Sequence, residues 1–283
     1  MSTLRNKTIF VSGASRGIGL AIALRAARDG ANIVVAAKTA QPHPILPGTI
    51  HTAVKEIERA GGRGLAIVVD VRDEQQILMG VEHAVDTFGG IDALVLNASA
   101  ITLANTLDVS TKKFDLMADI NMRGTFLMGK ACLPHLIKAD NPHILSISPP
   151  LDFSEHWWGE HLPWIMMKYC MSLCIKGWAL EFKEAGIAAN ALWPRTTIST
   201  AATKLLGDEV YRKSRRPTIV ADAAHWMLTQ PSRTYSGHYA LDETILRQSG
   251  VTNFDTYAND LSEPPFLDVL VDEPNGLNFK SDI

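Results

Sequence analysis

Cysteine is scarce: three residues in 283, at Cys132, Cys170 and Cys174. An odd number cannot all pair within one chain. A disulfide framework is therefore not expected, and a reducing setting, the cytoplasm, is. Cys170 and Cys174 share a helix face with no second ligand pair nearby, so they read as small core residues and no metal site is expected. Long apolar runs are also missing. The most apolar stretch, 162–180, is broken by Lys168 and Lys176, and no membrane span is expected. The N-terminus, MSTLRNKTIFVSG, enters a strand at once and lacks the apolar core of an export signal. Charge of one sign is not in excess: 27 Lys and Arg against 30 Asp and Glu leave a net charge of −3. That balance argues against a dedicated nucleic-acid binder. What remains, 46% hydrophobic and 20% charged residues, is ordinary globular composition.

Within that composition, apolar runs alternate with helical patterns. Strands are expected over 8–12, 32–37, 65–69, 93–96, 143–147, 187–193 and near 238–241. Helices are expected over 19–29, closed by Gly30, over 50–60, from Asp73 to the Gly89-Gly90 stop, over about 111–137, around 168–184 and over about 218–228. Regular alternation of this kind predicts an α/β fold: a Rossmann-type doubly wound parallel sheet of about seven strands with helices on both faces. No break in composition or internal repeat divides the chain. The expectation is one domain over 1–283, with a core to about 250 and an extended tail over about 251–283. Pro42, Pro44, Pro47 and Gly48 make 39–49 a loop. Pro264, Pro265 and Pro274 suit a surface segment or subunit arm beyond about 259.

Between the first strand and first helix the chain reads Ser12-Gly13-Ala14-Ser15-Arg16-Gly17-Ile18-Gly19. Three glycines there permit a sharp turn and close approach of a pyrophosphate to the free N–H groups of a helix N-terminus. The end of the second strand bears on which dinucleotide binds. A carboxylate there would hold both ribose hydroxyls and repel a 2′-phosphate. The chain has Ala37 instead, then Lys38 and Thr39, with Arg16 in the glycine loop. Two cations and no acid favour NADP(H) over NAD(H).

The glycine spacing resembles that of the short-chain dehydrogenase/reductase family, and the resemblance extends from the first strand to about Glu243. It implies that Asp70 and Val71 contact adenine and that Asn97-Ala98-Ser99 stands for the motif after the fourth strand. It also implies that Asn121 holds a structural water, that Pro194 follows the sixth strand, and that Ile198 and Thr200 lie near the nicotinamide carboxamide. The segments AAKTAQPHP and ISPP are most similar to the hydroxysteroid dehydrogenase-like branch. That branch often carries a sterol-carrier domain, which is not expected within these 283 residues.

Family chemistry implies hydride transfer between nicotinamide and a carbonyl, with a tyrosine as proton donor, a lysine four residues later and a serine on the carbonyl oxygen. The lysine is Lys168. Four residues earlier stands Trp164, whose indole N–H donates a hydrogen bond but cannot serve as an acid. The side chain at 164 is either a core aromatic or part of the cleft wall. Tyr169 lies about 140° further round the helix than position 164 and should point away. The serine position falls on Pro149, with Ser148 one residue early. In the loop 152–163, Phe153, Trp157 and Trp158 form an apolar substrate wall or fold inward. His156 and His161 are candidate replacement donors, and their spacing does not make a metal site.

The expected function is therefore NADP(H)-dependent hydride transfer to or from a small apolar carbonyl or alcohol substrate, with a degraded Ser/Tyr relay. The alternative is a catalytically impaired NADP(H)-binding sensor or subunit. The helices bearing Asn121 and Lys168 correspond to the family's usual dimerisation surface, so a homodimer or homotetramer is expected.

Overall fold

The computed structural model describes residues 3–44, 46–153, 158–159 and 161–271. Seven parallel strands form one sheet: β1 (Thr8–Ser12), β2 (Asn32–Ala37), β3 (Arg63–Val68), β4 (Ala93–Leu96), β5 (His143–Ile147), β6 (Ala188–Trp193) and β7 (Tyr239–Leu241). Their order is β3-β2-β1-β4-β5-β6-β7, so the winding reverses between β1 and β4. In a doubly wound sheet that reversal opens a crevice at the carboxyl ends of the strands.

Alternation along each strand builds two cores. Ile9, Val11, Ile33 and Val35 pack with Ile22, Ala23 and Ala26 of α1 (Gly17–Ala27) and Ile219 and Ala223 of α9 (Thr218–Leu228) on one face. On the other, Phe10, Val34 and Leu94 meet Ile77 and Val81 of α3 (Glu74–Phe88). Met128 and Leu133 of α5 (Thr125–Leu136) complete that layer. Fully buried side chains of this size contribute about 1.5–3 kcal/mol each.

Local signals account for the helix ends. Asp73 accepts from the N–H groups of Gln75 and Gln76 and starts α3, and Gly89, at φ +86°, ends it. Thr49 and Thr52 form a reciprocal capping box at the start of α2 (Ile50–Arg59).

Several expectations need correction. The helix carrying Lys168 is α6 (Leu162–Glu181), which begins six residues before the expected start. Pro163 in its first turn favours that start, since its fixed φ suits a helix and its missing N–H costs nothing there. The apolar character of α6 on all sides hides its period. The expected helix over 111–137 is α4 (Thr111–Met117) and α5 joined by a π-helical segment at Ala118–Gly124. Cys170 and Cys174 are only half-buried, so neither is a full core residue. Short helices α7 (Ala201–Leu205), α8 (Asp208–Arg212) and α10 (Asp242–Gln248) are too brief to show a period in sequence.

In the tail, residues 261–264 are exposed, as a surface segment would be, whereas the residues that follow pack inward. Residues 266–271 run back across the carboxyl end of β6. Thr197 N–H donates to Phe266 O (2.9 Å) and Asp268 N–H to Arg195 O (3.0 Å), around an antiparallel bridge between Thr196 and Leu267. Leu270 is buried in the core beneath.

Candidate active site

The glycine turn is shaped by what packs behind it. Gly13 has φ +69°, and a Cβ on it would lie 3.0 Å from Asn97 Nδ2 and from Ala98 Cα. A Cβ on Gly19 would stand 2.5 Å from Asn97 Nδ2 and 2.8 Å from Gly13 O. Asn97 causes this crowding because it braces the turn, donating from Nδ2 to Ser12 O and Gly13 O at 3.1 Å each. Ser12 Oγ answers by accepting from the N–H groups of Asn97 and Ala98. The end of β4 thus fixes a glycine cradle that opens α1, with Ser15 buried and Ile18 half-buried in it.

Two further segments close round the cradle. Thr200 comes from the loop after β6, and its Cγ2 lies 3.6 Å from where a Cβ on Gly17 would be. Pro194 and Ile198 of that loop are buried. The loop 39–49 folds back from the end of β2. Its base is tied by Ile50 N–H to Thr39 O (2.9 Å), and Arg16 donates from Nε to Pro47 O (2.7 Å) and from Nη2 to Gly48 O (3.2 Å).

Beside the cradle, Ala37 ends β2 without a carboxylate and Lys38 is exposed. Asp70 is gripped by the Arg72 guanidinium (2.5 and 2.9 Å), which holds its carboxyl below the usual range, with Lys38 adding a smaller pull. Arg72 is a residue that the motif alone does not announce. Val71 packs against Gly124 of the π-helical segment. Ser99 is exposed in the loop after β4. Asn121, fully buried, pairs with both backbone groups of Ala100: Oδ1 accepts its N–H (2.7 Å) and Nδ2 donates to its carbonyl (2.9 Å).

At the carboxyl end of β5 the chemical groups converge. Lys168 is 3% exposed, donates to Ile147 O (2.7 Å) and lies 4.9 Å above the centroid of the Trp193 ring. Burial lowers its pKa to about 7, against the opposing pull of Asp268. One helical turn earlier, Trp164 is 4% exposed with its ring 6.3 Å from that of Trp193. Among the described residues its buried Nε1–H has no hydrogen-bond partner, and neither has the buried Oγ of Ser148. Pro149 O accepts from Ser172 Oγ (2.6 Å), fixing the turn after Ser148. Trp164 is therefore part of the core while carrying an unmatched donor.

Tyr169 points elsewhere, as its helical position predicts. Its hydroxyl donates to Asp152 O (2.5 Å), and its ring meets Trp158 edge-on at 5.0 Å. Phe153 stacks on Trp158 at 5.9 Å while remaining largely exposed, so this loop both folds an aromatic inward and presents one outward. His161 precedes α6, and its buried Nδ1 has no hydrogen-bond partner among the described residues. His156 and Trp157 lie outside the described residues. Trp193, whose ring lies against Lys168, and Asp268, which accepts from the Trp193 indole N–H, were missed in the sequence because no motif marks them.

Comparison with known proteins agrees with this geometry. The family described as short chain dehydrogenase matches residues 7–210. Hydroxysteroid dehydrogenase-like protein 2 of Danio rerio is 54% identical over 266 residues, which are 94% of this chain and 64% of that protein. The Homo sapiens protein of the same name is 53% identical over 267 residues, 94% of this chain and 63% of its own length. The chain thus spans less than two thirds of these relatives. The crystal structure of a short chain dehydrogenase from Mycobacterium thermoresistibile superposes with a TM-score of 0.91 at 49% identity, covering 98% of this chain and 99% of that one.

Proposed function

Because the chain belongs to the short-chain dehydrogenase family of oxidoreductases, we propose that it binds a nicotinamide dinucleotide, NADP(H) in preference to NAD(H), and interconverts a small apolar carbonyl and alcohol. The glycine cradle fits such a ligand: side chains at Gly13 and Gly19 would fill the turn against Asn97, and backbone N–H groups remain at the start of α1. Gly13, Ser15, Arg16, Gly17, Ile18 and Gly19 would surround the pyrophosphate. Lys38, beyond Ala37 and beside Thr39, would meet the 2′-phosphate. Asp70 and Val71 would face the adenine. Asn97, Ala98 and Ser99 brace and line the floor, and Pro194, Ile198 and Thr200 lie on the nicotinamide side.

When bound, the dinucleotide supplies the hydride. The chain's own part is to place it and to manage the proton. Lys168, held at the end of β5, would donate to the nicotinamide ribose, and Asn121 would keep the loop after β4 in register beneath it. Trp164 stands where the family's relay would have its tyrosine, and its buried indole N–H would not deliver a proton to a carbonyl oxygen. Ser148 Oγ, without a hydrogen-bond partner among the described residues, would be the side-chain donor for that oxygen. Proton delivery would therefore fall to water or to His161. The aromatic pair of largely exposed Phe153 and half-buried Trp158 supports an apolar substrate. The three free thiols support a reducing, cytoplasmic setting. Exposed apolar side chains on α5 and α6 support a homo-oligomer.

The observation carrying this reading is the buried Lys168 at the strand end, one turn after Trp164 and on the side of the sheet that holds the cradle. Its test follows NADPH oxidation over apolar ketones, aldehydes and quinones for wild type and Trp164→Tyr. Wild type should turn over slowly, and the phenol should raise the rate about 10²-fold or more, the usual contribution of a positioned acid. A silent wild type beside an active variant would instead identify a dinucleotide-binding protein that lacks its acid.

A further inference from the structure

The segment 266–271 brings a carboxylate into the site. Asp268 Oδ1 accepts from Trp193 Nε1 (2.8 Å) and from Leu270 N–H (3.0 Å). The segment is held by the Thr197–Phe266 and Asp268–Arg195 backbone bonds, and by Phe266 N–H donating to Lys213 O (2.9 Å). A π-face of the same indole carries Lys168 at 4.9 Å. An indole attracts a cation through its π-face, and donating its N–H to an anion pushes electron density into the ring and strengthens that attraction. We propose that Asp268, delivered by the 266–271 strap, is a positioning residue of the reaction site that acts through Trp193 to keep Lys168 charged and in place. This rests on the reading of the site as a nicotinamide dinucleotide site, with Lys168 as its ribose-binding donor.

The surrounding charges leave this pairing distinct. Arg195, whose carbonyl receives the Asp268 N–H, sends its guanidinium to Glu243 (2.7 Å). Arg215 and Arg247 converge on the same carboxylate (2.6 and 2.5 Å). Asp242 Oδ1 accepts from the N–H groups of Arg195 and Glu243. Next to Lys168 on α6, Tyr169 is turned to Asp152. Asp268 is the charged group whose field acts on Lys168, and Lys168 acts on Asp268 in return. Loss of water pushes the Asp268 carboxyl up to about 6, while burial lowers Lys168 to about 7. Burial thus disfavours the charge on both partners, and each charge favours the other.

The test titrates the full chain by NMR, following the Lys168 ammonium (assigned by its loss in Lys168→Arg) and the Trp193 indole N–H. In the wild type, the indole signal should move with a midpoint near 6 as its acceptor protonates, and Lys168 near 7. Asp268→Asn keeps an acceptor for Trp193 and removes the charge. The Lys168 midpoint should fall by about one pH unit, and Asp268→Glu should restore it. An indole signal that stays flat through pH 6 in the wild type would overturn the proposal without reference to any variant. So would an unshifted Lys168 midpoint in Asp268→Asn. NADPH affinity is measured separately by fluorescence. Asp268→Asn should weaken it about threefold to tenfold near pH 6.5–7, with the difference vanishing below about pH 5.5, where Lys168 is charged in both proteins. If the titrations behave as stated and NADPH does not bind, the failure lies with the dinucleotide reading and not with the Asp268–Trp193–Lys168 coupling.

Discussion

Two cations flank the predicted 2′-phosphate position, and the structure separates their roles. Arg16 spends Nε and Nη2 on the carbonyls of Pro47 and Gly48, so it pins the loop 39–49 to the glycine turn. Lys38 is exposed and close enough to Asp70 to lower its pKa, so under the proposed reading it is the cation that would meet a 2′-phosphate. Lys38→Ala should raise the NADPH dissociation constant about tenfold and leave that for NADH nearly unchanged. A charge-assisted hydrogen bond is worth roughly 1.5–3 kcal/mol, and exposure to solvent trims it to the low end. Fluorescence titration with the two nucleotides checks this, and equal losses for both would remove Lys38 from the discrimination. At this scale the sequence was enough to put the glycine turn and Ala37-Lys38 at the ends of β1 and β2, where the structure has them. It could not show that Arg16 is engaged by a loop over 30 residues away, since that depends on how the loop folds. Nor could it show that Asp268, 100 residues after Lys168, returns to the site.

Among the elements, the parallel sheet and its switch point were legible because buried β-branched runs separated by glycine-stopped helices leave few alternatives. The loop 39–49 was legible as irregular, from its prolines and glycine, but its docking was not. That docking depends on Gly48, which has φ +81° and whose Cβ would stand 2.6 Å from Ser15 O in the cradle. Gly48→Ala combines a disfavoured backbone angle with a backbone clash. The loop should lift from Ser15 and release Arg16, while the sheet and both cores stay intact. Calorimetry should then show NADPH binding weakened several-fold, with a stability loss of about 1–2 kcal/mol by denaturant unfolding. A binding constant equal to wild type would show that the loop does not shape the cofactor site. The same reasoning explains the late placement of α6 in the sequence: a helix apolar on all sides gives no amphipathic signal, and its first turn is marked by Pro163 alone.

For the molecule as a whole, that all-round apolarity is itself informative. One side of α6 is buried against the sheet, yet Met166, Leu173 and Leu180, spaced by seven residues, remain exposed in a stripe. On the neighbouring helical element, Met122 and Phe126, four residues apart, are exposed as well, and Phe126 stacks on Trp178 of α6 at 6.5 Å. Two helices with adjoining apolar stripes make a face that a second copy of the chain can cover isologously, each stripe meeting its counterpart about a two-fold axis. Sedimentation at micromolar concentration should therefore give a dimer or tetramer. Leu173→Glu, which places a carboxylate at the middle of the stripe, should yield monomer, because a charge buried there without a partner costs several kcal/mol of association energy. The consequence for the site is direct, since α6 also carries Trp164 and Lys168 and presses them against Trp193. If the dimer clamps α6, the monomeric variant should bind NADPH more weakly than wild type. A variant that sediments as monomer with wild-type affinity would show that the strap 266–271 and the sheet hold Lys168 in place without a partner subunit.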